Sequence, residues 1–313
     1  MLRLGGGVLV GVGLGTNDTA NIFGPGVAAQ VIRYRQAVVL AGIFVFLGAA
    51  AEGPKCMEIL SDLSRMTING AAVVTSATAV VLLLMTWLGI PASSSQATVG
   101  AILGLALGLG QPAEVGPLVT IVICWLASPL GAGVIGFILY HLLIRVARRF
   151  LKSPRILNAF VRVSFVGAAC YGAYTLGANN VANATGLFYG AGYLTALEAA
   201  FLGGAAMSLG GFCASRRVII TVGNRITDLG PLPAVSVVMA QAVSVHVFTQ
   251  IGVPVSISQS VVGAVAGVGL VRGFNTIDRR TLLAIFSGWV VTPLSSGLLA
   301  FAGAVLLASA GKL

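Results

Sequence analysis

The sequence predicts an all-α polytopic membrane protein made of two inverted-topology repeats, with broken helices and re-entrant or short helices at the midplane. Three observations lead there. The 313 residues are 57% hydrophobic and 8% charged, with a mean hydropathy of +1.00, whereas soluble domains carry about 25% charged residues. Short motifs of the first half return, in order, in the second. Basic loops of one half correspond to non-basic loops of the other.

Hydropathy accounts for the spans. Apolar stretches run over 35–51, 71–88, 117–144, 232–251 and 282–307. Each is long enough to cross a hydrocarbon core of about 30 Å as a helix. The start of the chain does not read as a cleavable leader, because its apolar run leads straight into a polar motif and not into a processing site.

The repeats account for the duplication. GTNDTANIFG at Gly15 returns as GANNVANATG at Gly177, an offset of 162. PASSSQATVGAILG at Pro91 returns as PVSISQSVVGAVAG at Pro254, an offset of 163. WLASPLGAG at Trp125 returns as WVVTPLSSG at Trp289, an offset of 164. Three matches at nearly one offset predict a first repeat over 1–144, a linker over 145–162 and a second repeat over 163–313. The linker holds Arg145, Arg148, Arg149, Lys152, Arg155 and Arg162 and no acid.

Charge placement accounts for the inversion. Arg33 and Arg35 have their counterpart in the uncharged turn 189–193. Lys55 and Arg65 are outweighed by Glu52, Glu58 and Asp62, whereas Arg216, Arg217 and Arg225 outweigh Asp228. The turn 111–116 carries only Glu114, whereas 272–280 carries Arg272, Arg279 and Arg280 against Asp278. Basic residues beside spanning helices mark the cytoplasmic side, so the halves are expected to run in opposite directions, with an odd number of crossings in each. The basic linker is then cytoplasmic, both termini are extracytoplasmic, and the chain lies in the cell membrane. The net charge of +10 is explained by this pattern and by contact with anionic lipid. No aromatic stacking platform accompanies it, so no nucleic-acid partner is expected. Cys56, Cys124, Cys170 and Cys213 form no paired motif and read as small hydrophobes.

Inverted repeats that meet at the midplane are the architecture of secondary transporters, although channels can be built the same way. Asp18 is the one acid placed well inside an apolar passage, where a carboxylate costs roughly 2.5–3.5 kcal/mol to insert. Asn17 and Asn21 are one helical turn apart, and Gly15 and Gly24-Pro25 bracket the motif and permit an unwound or kinked backbone. Carboxylate and amide oxygens suit a small cation such as Na+, and Asp18 could instead carry a proton. The second copy offers Asn179, Asn180 and Asn183, so the two sites are chemically unequal. In the serine motifs, Ser93, Ser95 and Gln96, with Ser256, Ser258 and Gln259, precede Gly-rich apolar stretches. That pattern predicts capped helix starts, whose free N–H groups and partial positive charge favour an oxyanion. The structural alternative is that these serines glue small-residue helix packing.

These motifs, GTNDTAN with GANNVAN and PASSSQ with PVSISQ, resemble those of the inorganic phosphate transporter (PiT) family, whose pattern reads approximately G-A-N-D-V-A-N followed by P-V-S-T-S/T-H/Q in each half. The resemblance covers nearly the whole chain. It implies a symporter that imports inorganic phosphate with Na+ or H+, no enzymatic activity and no cofactor besides the coupling ion. By position it assigns cation ligation to Asn17, Asp18, Asn21, Asn179, Asn180 and Asn183, with Asp18 the metal ligand when the cation is Na+. Anion contact falls to Ser93, Ser95, Gln96, Ser256, Ser258 and Gln259, with Asn21 and Asn183 shared. Three departures stand out: Asn180 replaces the family's second Asp, Ala92 replaces a valine, and no long central insertion is present. Loss of a carboxylate weakens cation binding and eases binding of a dianion, so sulfate is open as the substrate, since the family includes sulfate permeases. A passive anion channel is the reading of a different class, but it leaves Asp18 without a purpose. Partners expected are phosphate or sulfate and membrane lipid, with a homodimer left open.

The remaining features point elsewhere. GxxxxGK[ST] is absent, so the chain holds no P-loop. His141 and His246, far apart and without a carboxylate cluster, do not make a metalloprotease; His246 is read as packing or as lining the pathway. Glu52, Glu58 and Asp62 read as solvated loop charges, and Glu198 as interfacial. The run GLALGLG at 104–110 reads as close helix packing.

Overall fold

The computed structural model describes residues 2–63, 66–90, 92–214, 216–220, 230–272 and 279–309, and among them every regular element is helical. After a short 3-10 turn at Leu2–Leu4 come α1 (Gly5–Ala28) and α2 (Tyr34–Glu52). A 3-10 turn at Gly53–Cys56 leads to α3 (Met57–Asp62), α4 (Ile68–Leu88), α5 (Ser94–Gly108) and α6 (Val115–Phe150). The second half holds α7 (Pro154–Val181), a π-helical turn at Ala182–Gly186 and α8 (Leu187–Gly190). Then follow α9 (Ala196–Phe212), α10 (Arg216–Ile220), α11 (Pro231–Ile251), α12 (Ile257–Arg272) and α13 (Arg279–Ser309).

Six helical segments are long and apolar enough to cross a membrane: Tyr34–Asp62, Ile68–Leu88, Val115–Phe150, Pro154–Gly190, Pro231–Ile251 and Phe286–Ser309. This is a membrane protein. The outer walls expose large apolar side chains such as Leu126, Leu130, Leu294 and Leu298, which water would not tolerate in such density. At 36 residues, α6 is about 54 Å long, well beyond the hydrocarbon core of about 30 Å. The segment 145–162 is helical except at 151–153, so the expected linker is the end of one long helix and the start of the next, joined by a three-residue break.

Helix α1 is not among the six. It carries the polar motif and compensates by burying itself: every residue from Asn17 to Gly26 is buried. It runs unbroken through Gly15, Asn17, Asp18 and Pro25, so the unwinding that its glycines and proline permitted does not occur there. In the second copy the backbone departs from α geometry only in the π-helical turn that contains Asn183. The breaks occur at the serine motifs. Gly89 (φ 73°) ends α4 and Gly252 (φ 85°) ends α11, each in the left-handed region where glycine is favoured. A few residues later, α5 and α12 begin afresh as short helices.

Packing interleaves the halves. Helix α5 lies along α13 and α12 along α6; α1 lies along α9 and α7 along α2. In each pair the partner comes from the other half, so neither half is a separate globule. The approach of α5 to α13 is backbone to backbone: Gly104 of the GLALGLG run sits against the Gly297 carbonyl, and Gly100 against that of Pro293. The second half repeats the arrangement with Gly267 against Gly133 and Gly263 against Pro129.

Candidate functional site

The residues between each broken pair of helices expose backbone groups that need partners. Asn17 supplies them in the first half. Its Nδ2 donates to Thr86 Oγ1 (3.0 Å) and to the Ile90 carbonyl (3.2 Å), and its Oδ1 accepts from the Ala92 N–H (3.2 Å). Asn179 repeats this in the second half, donating to Thr249 Oγ1 (3.0 Å) and the Val253 carbonyl (3.1 Å) and accepting from the Val255 N–H (2.8 Å). These two asparagines staple the core helices α1 and α7 to the breaks. We expect Asn179→Leu to orphan the buried Val253 and Val255 backbone groups at roughly 1–3 kcal/mol each. A lowered thermal midpoint of the detergent-solubilised protein checks it.

Beyond each break, the serine caps form as the sequence predicts. Ser93 Oγ accepts from the Gln96 N–H (3.3 Å) and starts α5; Ser256 Oγ accepts from the Gln259 N–H (3.3 Å) and starts α12. Ser258 Oγ lies 3.0 Å from Ser256 Oγ.

The first turn of α5 is where the motifs meet. Ser94 Oγ donates to Asp18 Oδ2 (3.2 Å), while Asn21 Nδ2 donates to Asp18 Oδ1 (3.3 Å). One residue on, Ser95 Oγ lies 3.2 Å from both Asn180 Oδ1 and the Val255 carbonyl, and accepts from Asn183 Nδ2 at 3.2 Å. Asn183 Nδ2 also donates to Asn180 Oδ1 (2.9 Å). A single helix start from the first half thus touches the first polar motif, the second polar motif and the backbone just before α12. The predicted residues Asn17, Asp18, Asn21, Ser93, Ser95, Gln96, Asn179, Asn180, Asn183, Ser256, Ser258 and Gln259 are all buried, none more than 8% exposed.

Asp18, 2% exposed, is the charged group at this junction. Among the described residues no lysine, arginine or histidine forms an ion pair with it. An isolated buried carboxylate is costly unless it meets a compensating positive charge. Several neutral groups are also without partners among the described residues: Asn180 Nδ2, Asn183 Oδ1, Gln96 Oε1 and Gln259 Oε1. Buried polar atoms are nearly always satisfied, and these four belong to the polar and serine motifs, so the junction is a candidate place for a polar solute.

Ser94, Thr86 and Thr249 escaped the sequence reading. For the threonines a signal existed, because the repeat extends upstream of the serine motifs as TWLGIP at Thr86 and TQIGVP at Thr249. Ser94 lacked one, since its counterpart is Ile257.

Glu52 corrects an expectation. It is not a solvated loop charge but the last residue of α2, and its carboxylate accepts from Tyr174 (2.7 Å), Lys55 (3.0 Å) and Gln250 (2.6 Å). His246 Nε2 lies 3.3 Å from it, and His246 Nδ1 lies 2.6 Å from Tyr171 OH. These contacts brace α11 against α2 and α7. Most of the partners lie 122 to 198 positions away from Glu52 in the chain, beyond the reach of local pattern. Glu198 acts locally, forming with Thr195 the capping box of α9.

Comparison with known proteins sets this geometry beside its relatives. The sequence matches the model of the "Phosphate transporter family" twice, over residues 14–163 and 147–300. A Bacillus subtilis protein named "Probable low-affinity inorganic phosphate transporter" is 30% identical over 309 residues, covering 93% of this chain and 92% of its own. The sulfate permease CysP of the same organism is 27% identical over 291 residues, covering 90% of this chain and 81% of its own. A solved structure described as "The sodium-dependent phosphate transporter" superposes with a TM-score of 0.82 over 98% of both chains at 23% identity, a likeness of fold.

Proposed function

The chain belongs to the phosphate transporter family, and from that premise we propose that it is a symporter that imports inorganic phosphate together with Na+ or H+. The observation that carries this reading is Asp18: a buried carboxylate without a cationic partner among the described residues, held by Ser94 at the first turn of α5. Family members are transporters, and the chain is not an enzyme.

The coupling follows from electrostatics. Two unit charges 4 Å apart interact by about 4 kcal/mol at an effective dielectric of 20. An anion brought beside the uncompensated Asp18 is repelled on that scale. A cation on Asp18 removes the repulsion, so the two solutes favour each other's binding by the same amount. The anion is then held without a fixed lysine, by Ser95, Gln96, Ser258 and Gln259 and by the ends of α5 and α12, each contributing roughly half a positive charge. Asn17 and Asn179 act on the site by holding the broken backbone.

We place the basic segment 145–162 in the cytoplasm and both termini outside, on the positive-inside pattern. The duplication is supported by the two family matches, one to each half, and by the matched pairs Asn17–Thr86 and Asn179–Thr249. Sulfate is the second reading, favoured by Asn180 in place of the family's carboxylate and by the likeness to a sulfate permease. Uptake of labelled phosphate into proteoliposomes, with unlabelled sulfate as competitor, separates the two. The primary reading expects phosphate uptake that sulfate barely inhibits. Sulfate uptake that phosphate fails to inhibit would overturn it.

A further inference from the structure

The two halves offer unequal partners at equivalent positions, and they differ twice. Where the first has Asp18, the second has Asn180; where the first has Ser94, whose hydroxyl meets Asp18 at 3.2 Å, the second has Ile257. Acid and hydroxyl are replaced together, by an amide and a hydrocarbon.

What remains at each position differs in chemistry. The Asp18 carboxylate accepts one hydrogen bond on each oxygen, and a carboxylate has about four lone-pair sites. It keeps both charge and free oxygen for a cation. The Asn180 oxygen is already taken by Ser95 at 3.2 Å and Asn183 at 2.9 Å, and Ile257 has no oxygen to add. The free group on Asn180 is its Nδ2 donor, fully buried and unpartnered among the described residues. Asn183 Oδ1 is the acceptor left there among the described residues, a single neutral oxygen, where a cation needs several oxygens to replace its hydration shell. A buried N–H without an acceptor beside an anion-favouring helix start is completed by an anion oxygen.

We propose that this transporter couples one cation to each anion, with Asp18 and Ser94 holding the cation, and that Asn180 donates a hydrogen bond to the anion. This rests on the symport reading above and assigns Asn180 to the opposite solute from the one its place in the motif implies.

The test begins with the unmodified protein in proteoliposomes clamped at zero membrane potential. A tenfold inward gradient of the coupling cation, Na+ or H+, is opposed by graded outward gradients of labelled anion until net flux vanishes. One cation per anion predicts balance at about a tenfold anion gradient. Balance near a hundredfold would mean two cations and would overturn the inference while leaving symport intact. No effect of any cation gradient would overturn symport itself. Two variants add independent readouts. Asn180→Ala is expected to raise the anion KM about tenfold, the loss of one hydrogen bond to a charged group, with the balance point unmoved. A shifted balance point would show Asn180 to be a cation ligand. The double variant Asn180→Asp, Ile257→Ser rebuilds the acid–hydroxyl pair and is expected to move the balance to about a hundredfold; a folded double variant that still balances at tenfold contradicts the assignment.

Discussion

Asp18→Asn should cut cation-driven anion uptake by about 100-fold, since truncating one partner of a buried charged contact costs about 2–5 kcal/mol and each 1.4 kcal/mol is about tenfold. The carboxylate is 2% exposed and, among the described residues, accepts hydrogen bonds from Ser94 and Asn21 alone. Asparagine keeps the size and one oxygen, so the shape of the α1–α5 junction survives. It removes the charge on which the cation depends. The fold should not suffer: a carboxylate with no cationic partner is a burden to the unloaded protein, and the variant is expected to melt at or above the wild-type temperature. Initial uptake rates under an imposed cation gradient, set beside thermal melts, check both halves of the statement. Wild-type uptake with unchanged cation dependence would remove Asp18 from the coupling. A collapse in stability would reassign it to structure.

The second large effect concerns backbone contact. Gly100→Val puts side-chain carbon where the Pro293 carbonyl of α13 already lies, and Gly263→Val does the same against Pro129 of α6. No flexible side chain on the facing helix can yield, so α5 or α12 must move away bodily. Overpacking in cores costs typically about 1–3 kcal/mol and occasionally more; with backbone on the opposing side we expect the upper end or beyond, out of a total of about 5–15 kcal/mol. Because α5 carries Ser94, Ser95 and Gln96, Gly100→Val should abolish uptake even in the fraction that folds. Yield of monodisperse protein and its melting temperature measure the first effect, uptake per folded molecule the second. Wild-type values at position 100 would contradict the interleaved packing of α5 on α13.

Much of this was legible in the sequence. Hydropathy carried the membrane class, because spanning helices leave long signals, and three motifs at offsets of 162 to 164 are the signal on which the proposed duplication rests. The serine caps at Ser93 and Ser256 were readable because capping is local chemistry. The place where helices break was not. Gly15, Gly24 and Pro25 argued for a break in α1, yet Pro25 lies three residues before the helix end at Ala28, where the chain tolerates it. The breaks sit instead after Gly89 and Gly252, and their exposed backbone is satisfied by asparagines about 75 residues away, a dependence no local window contains. Likewise the glycine run at 104–110 announced close packing without naming α13 as the partner of Gly104. Ser94 owes its part to a distant contact with Asp18, and Glu52 owes most of its own to Tyr174, His246 and Gln250.

If Asp18 couples the two solutes, a cation gradient must do work on the anion through this site. The decisive quantity is the internal concentration of labelled phosphate in sealed proteoliposomes that start with equal phosphate on both sides and only a cation gradient imposed. Coupled transport makes internal phosphate rise above external, then fall back when an ionophore dissipates the cation gradient. Phosphate that merely equilibrates, at a rate indifferent to the cation, would make the protein a passive pathway and refute the symport mechanism.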